Sequence, residues 1–294
     1  MRSIQHPGQT HPTRVQAIAV RLEPFDVMLQ SGMSLMAALA SQMSRLNAQS
    51  AAFSISGGAF EPFSYVMPAL SKTPQHAVYF SDIHAVEGAV QIETASVTFG
   101  QREGKPWLHS HALWVEASGR RHCGHLLPDD IQVSVPIRAR GVTVQGAVFT
   151  VCPDAETNFS LFVPVQKGLT AKPEVEHVGV PRGYAIRVAP NVDICNALEQ
   201  FCMDHNISKA LIHGGVGSTI GVVFEDGRVV EPFSTEILIR RGEIFTNDKG
   251  EMQAQLDVSL VDYKGGVSEG RFARGRNAVL VTFELVLEVI ESGA

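Results

Sequence analysis

No apolar run in the 294 residues approaches the ~20 needed for a helix to cross a bilayer, so the sequence offers no membrane helix. Met1 to Thr13 lacks the charged start and apolar run of a signal peptide, so it reads as a polar, flexible arm, and a cytoplasmic location is expected. Cysteine is scarce. The four present (Cys123, Cys152, Cys195 and Cys202) form no C-x-x-C pair, which argues against a disulfide framework or a cysteine zinc knuckle and for reduced, buried thiols. An excess of basic charge is also missing. With 24 Lys and Arg against 30 Asp and Glu, the net charge of -6 gives DNA a repulsive average field. A phosphate-binding loop is absent too, because Gly214-Gly215-Val216-Gly217 is followed by neither the lysine and hydroxyl of a Walker motif nor the dinucleotide spacing.

The sequence has an ordinary globular composition, 45% hydrophobic and 18% charged, and enough length for two domains. Arg14 to Leu22 alternates apolar and polar residues as a half-buried strand does. Ser34 then stands as an N-cap before LMAALASQMSRL, where Leu35, Leu39, Met43 and Leu46 recur at helical spacing. A small-residue strand, AAFSISGGAF, follows and ends in Gly57-Gly58. From Arg182 the same order returns: a strand in YAIRVAP, a helix with Ile194, Leu198, Phe201 and Cys202 on its apolar face, then ALIHGGVGS with Gly214-Gly215. HALWVEASGRRHCGHL from His111 aligns with DVSLVDYKGGVSEGRF from Asp257, so Gly119 meets Gly265 and Gly124 meets Gly270. The reading is therefore duplication of a whole α+β domain, with domains at 14–152 and 182–291 and a proline-bearing linker at 153–181 whose NFSLFVPV segment packs onto a domain.

Metal chemistry is concentrated in the first half. His109 and His111 are two residues apart and project from one face of a strand. A hairpin turning at Ser118-Gly119 brings His125 across from His111, so three imidazoles converge as zinc and similar divalent ions prefer, leaving a position open for a ligand. On the alternative reading, His109 and His111 are surface histidines on an edge strand and His125 is a hydrogen-bonded core residue. The second half carries Gln255, Asp257 and Arg271 at the equivalent positions, where Asp257 and Arg271 could form an ion pair in place of a metal site. Alternation sends His122 to the opposite, exposed face, Cys123 lies outside the ligand set, and Glu93 reads first as a plain structural carboxylate and second as a candidate to orient a histidine. His213 reads as a core or interface residue, and Arg274-Gly275-Arg276 resembles the centre of an AT-hook without its flanking prolines.

The segment LHSHALWVEASGRRHCGHLLPDD resembles the signature of the plants and prokaryotes conserved (PPC) domain, in which a histidine pair precedes a glycine turn and a GHL motif. SISGGAF, LIHGGVG and FSTEILIRRGEI extend the resemblance over both halves. It implies two tandem domains, each a curved, mostly antiparallel sheet packed by a helix, a fold similar to acetolactate decarboxylase, and trimeric assembly. The apolar strand AVLVTFELVLEVI also favours an oligomer, since it is too hydrophobic for an uncovered edge. The function expected is a metal-binding protein that takes a small anionic ligand or carries out a metal-assisted reaction. The alternative is a DNA-binding or regulatory protein that uses these domains for assembly; a basic stripe through Arg120, Arg121, Arg138 and Arg140 would favour it.

Overall fold

The computed structural model describes residues 1–167 and 182–290, and these form a mostly antiparallel sheet with two helices. In the first half the hydrogen-bonded order runs from Val15–Leu29 through Ile137–Gln145, Ala51–Ser56, Val90–Arg102 and Lys105–Val115 to Arg121–Leu126. The second half repeats it, from Arg182–Val188 through Val279–Val289, Lys209–Val223, Val229–Thr246 and Met252–Asp262 to Val267–Arg271. The strand Val15–Leu29 joins the two series. Its first residues, Val15 to Arg21, pair with Arg182–Val188, and the rest, from Arg21 on, pair with Ile137–Gln145.

Each series is packed by one helix. Ser34 Oγ accepts the Ala37 N–H at 3.2 Å and starts Leu35–Arg45, which buries Leu35, Leu39 and Met43 against Phe53, Val97 and Trp114. Asp193 caps Ile194–Asp204, which buries Ile194, Leu198 and Cys202 against Ile237, Leu256 and Phe283. Gly57 and Gly58 both take positive φ, and a side chain on Gly58 would meet the Pro136 carbonyl oxygen at 2.4 Å, so the turn and the close approach both call for glycine. A third apolar cluster spans the halves, with Leu22, Ala52, Val142 and Phe149 against Ala185 and Val286.

Two expectations change. The N-terminal arm is packed: Ile4 exchanges backbone hydrogen bonds with the Asn191 side chain at 2.8 Å each way, and buried His6 reaches the Leu280 carbonyl at 2.7 Å. These contacts, with the apolar Ile4 side chain, offset the entropy of ordering a short polar segment. The strand Val279–Val289 is flanked on both sides within the chain, so its hydrophobicity needs no partner subunit. Within the expected linker, Ser160–Gln166 forms a strand against Ala147–Pro153, while the part from residue 168 lies outside the described residues. No helix among the described residues is long and apolar enough to cross a membrane.

Between the halves lies a buried ion pair, Arg187 Nη2 to Asp154 Oδ2 at 2.5 Å, with both side chains under a tenth exposed. Burial works against the Asp154 charge, yet the Arg187 guanidinium and the Thr157 N–H and hydroxyl hold its carboxyl below the usual range. A depressed folded pKa contributes stability above the unfolded value and loses it as pH falls through the folded one. Asp154→Asn should therefore cost about 3 kcal/mol at neutral pH by leaving the guanidinium unpaired. The difference from wild type should shrink below about pH 4, which denaturant unfolding across pH would show.

Candidate metal centre

The hairpin of Lys105–Val115 and Arg121–Leu126 builds the centre. Its register places His125 directly across from His111, and Gly119 turns the chain with φ of 82°. His109 stands two residues before His111 on the same face, so the three rings meet with centroids 4.7, 5.0 and 5.3 Å apart. One ligand nitrogen from each lies within 4.8 Å of the others. Gly124, between Cys123 and His125, admits no side chain, because a Cβ there would sit 2.9 Å from the Val66 carbonyl oxygen.

Two of the histidines are oriented by the other half of the chain. His111 Nδ1 donates to the Ile237 carbonyl at 2.8 Å, which fixes the tautomer and leaves Nε2 with a lone pair. His109 Nδ1 bonds the carboxylate of Glu284, which is buried, so its Nε2 is likewise free. The two Nε2 atoms face each other at 3.1 Å. Two lone pairs at that distance repel unless a cation or proton lies between them. Two nitrogens bound tetrahedrally to one zinc ion are about 3.3 Å apart, so the spacing fits a shared metal. His125 adds an orphan: its Nδ1 is buried and finds no hydrogen-bond partner among the described residues. Burial first, then the neighbouring imidazoles, pushes His111 well below the ordinary histidine range, and burial with His109 does the same to His125, so both offer neutral nitrogens.

A cleft of about 70 Å³ opens over His109 and His111. Tyr79, Phe80, Phe159 and Leu280 form its apolar wall, and Ser234, Thr235 and Glu236 line it from the second half. Burial pushes the Glu236 carboxyl well above the usual carboxylate range, opposed by a hydrogen bond from the His125 backbone N–H. The donor set is thus imidazole from one half, oriented by oxygen acceptors from the other, which is the arrangement that holds a zinc-like ion with a position free for a ligand.

The structure brings together the three sequence-predicted histidines and leaves Glu93 as a structural carboxylate. Glu93 sits at a register shift between Ile92 and Thr94, which carries it to the rim, where it binds Arg121 with two contacts of 2.7 Å. His122 is buried, not exposed: its ring stacks on Trp114 at 5.5 Å and lies beside Tyr65, because aromatic residues cover that face of the hairpin. Cys123 packs with Leu113, Leu238 and Val261 away from the ligand set. At the equivalent place in the second half, Asp257 and Arg271 are register partners, joined by contacts of 2.8 and 3.2 Å. His213 bonds Glu288 at 2.5 Å. Sequence reasoning missed Glu284, Ile237 and Glu236. Glu284 carried a signal, a carboxylate inside the otherwise apolar run VLVTFELVLEV.

Residues 176–291 match the family model of the Plants and Prokaryotes Conserved (PCC) domain. The match falls on the half without the histidine cluster. No curated protein matches the chain. Among solved structures, a metal-containing protein from Archaeoglobus fulgidus is similar at 18% identity, with 48% of this chain and 93% of that one covered and a TM-score of 0.39. A plant- and prokaryote-conserved (PPC) protein from Pyrococcus horikoshii is similar at 11% identity, with 50% and 96% covered and a TM-score of 0.40. A protein from Ralstonia eutropha JMP134, named as a candidate DNA-binding protein, is similar at 18% identity, with 47% and 89% covered and a TM-score of 0.36.

Glu284→Gln keeps the size of the side chain and removes the charge that orients His109. It should weaken divalent-metal affinity about 10- to 100-fold, read by competition with a chromophoric chelator, with the circular dichroism spectrum unchanged.

Proposed function

We propose that this chain is a metal-binding protein of the PPC type, in which His109, His111 and His125 hold one divalent ion, zinc by ligand preference. The observation that carries the reading is the pair of Nε2 atoms facing at 3.1 Å, each on a ring whose Nδ1 is already engaged by the second half. An ion bound there acts as a Lewis acid toward a small ligand in the cleft, or lowers the pKa of a bound water. The chain's own residues do the rest. The Ile237 carbonyl and the Glu284 carboxylate fix the rings, and the aromatic wall of the cleft limits the approach of water. On this reading the second domain, 182–291, is the supporting half of a single site, and its own lost site is closed by the Asp257–Arg271 pair. Trimeric assembly belongs to the proposal through the PPC resemblance alone.

The DNA-binding alternative has less support. Of the four first-half arginines that would form a basic stripe, two are engaged by carboxylates: Arg121 by Glu93 and Glu269, and Arg138 by Asp26. Phosphate contacts would have to displace these partners.

Metal analysis of protein prepared without chelators tests the proposal. One ion per chain is expected, with most of it lost in His111→Ala. Asp257→Ala should keep the full content and lose about 1 kcal/mol or less, because the pair is partly exposed. Wild-type protein without stoichiometric metal, or His111→Ala that retains it, would refute the reading.

A further inference from the structure

The three histidines are not held alike. His109 and His111 each have Nδ1 engaged by the second half, through the Glu284 carboxylate and the Ile237 carbonyl. The backbone of His125 is placed as firmly, by the register with His111 and by the N–H that Glu236 accepts. Its ring is not. Neither ring nitrogen makes a hydrogen bond among the described residues, and Nδ1 is buried without one. A metal-binding imidazole usually gives its other N–H to an acceptor, and a histidine ring without that bond turns broadly about its last torsion. Packing is what remains to hold this ring.

The ring that packs on it from outside the triad is Phe80, edge-on, with centroids 5.4 Å apart and planes at 66°. The strand that carries it, Val78–Phe80, pairs with Pro68–Leu70 in a small sheet separate from the main one. This flap lies over the cleft, with Pro68, Val78, Tyr79 and Phe80 in its lining. Three sets of contacts fasten it. Val78 is buried against Ile220, Ala278 and Leu280 of the second half. The Asn158 side chain donates to the Gln75 carbonyl at 2.9 Å, and His76 Nε2 reaches the Asn158 carbonyl at 3.2 Å. Tyr79 and Phe80 pack on Phe159 with centroids 5.9 Å apart. The flap belongs to residues 57–89, between Ala51–Ser56 and Val90–Arg102; the second half crosses between its equivalent strands, Lys209–Val223 and Val229–Thr246, in residues 224–228. The half that has the three histidines is the half that has the flap.

We infer that Phe80 is a positioning residue for the third ligand: its ring edge holds the His125 imidazole toward His109 and His111, so the flap sets whether an ion there has three imidazoles or two. This rests on the three-histidine reading. His109 and His111 keep their orientation wherever the flap lies, because Ile237 and Glu284 belong to strands of the main sheet. His125 is then the labile ligand, the one the ion loses first when the flap moves.

Zinc affinity of the full chain, measured by competition with a chromophoric chelator, tests this in wild type, Phe80→Ala, His125→Ala and the double variant. Phe80 is 40% exposed, and its truncation leaves the buried Val78 anchor in place. Phe80→Ala should weaken zinc binding about tenfold, the effect of removing an orienting partner. In the His125→Ala background the same change should cost less than about twofold, because the ring it positions is gone. The visible spectrum of cobalt(II)-loaded Phe80→Ala should move from the wild-type form toward that of His125→Ala. Phe80→Leu keeps an apolar side chain on the flap and should show the same dependence on His125 if alanine disturbs the fold. Wild-type affinity in both Phe80 variants, or an equal loss in both backgrounds, would overturn the inference and leave the three-histidine reading standing. Wild type that takes up no zinc, or His125→Ala that binds as tightly as wild type, would overturn that reading and the inference with it.

Discussion

Two hydrogen bonds that cross from one half of the chain to the other govern this structure: the Ile237 carbonyl on His111 Nδ1 and the Glu284 carboxylate on His109 Nδ1. Imidazole has two nitrogens, and whichever is bonded elsewhere decides what the other can do. By taking both Nδ1 atoms, the second half turns both Nε2 lone pairs inward. Three clustered imidazoles without that orientation could satisfy one another by tautomer exchange. With it, they are arranged for a cation.

The contacts around this point keep the halves from shifting. Ser96 Oγ donates to the Ile239 carbonyl at 2.7 Å, two residues along the strand from Ile237. Leu113 and Cys123 pack against Leu238 and Val261 beneath the hairpin. Burial pushes the Cys123 thiol well up, so it serves as a small apolar group. The two halves differ at the equivalent position. The register that sets His125 across from His111 sets Arg271 across from Asp257, and the second position closes on an ion pair while its strands supply the acceptors for the first.

Much of the local structure was legible in the sequence. The Ser34 cap, the helical spacing of Leu35, Leu39 and Met43, and the two-residue spacing of His109 and His111 depend on neighbours close in the chain. The His111–His125 pairing also followed, because one glycine turn fixes the register of a short hairpin. What escaped depends on distant packing. Glu284 lies 175 residues from the ring it orients, and nothing local in its strand marks the partner. Glu93 stands at a bulge and pairs with Arg121, the structural carboxylate that its place on the strand suggested first. His122 was read as exposed from strand alternation and the N-terminal arm from its polarity, yet Trp114 and the Leu280 carbonyl give them partners that neither pattern reveals.

The central claim is that second-half acceptors aim the His109 and His111 imidazoles, with His125 beside them, at one ion. X-ray absorption spectroscopy on protein loaded with one equivalent of zinc tests it most directly. The account predicts three imidazole nitrogens at about 2.0–2.1 Å, with their outer-shell ring scattering, and one further oxygen. A first shell containing sulfur, or one dominated by carboxylate oxygen with fewer than two imidazoles, would contradict it.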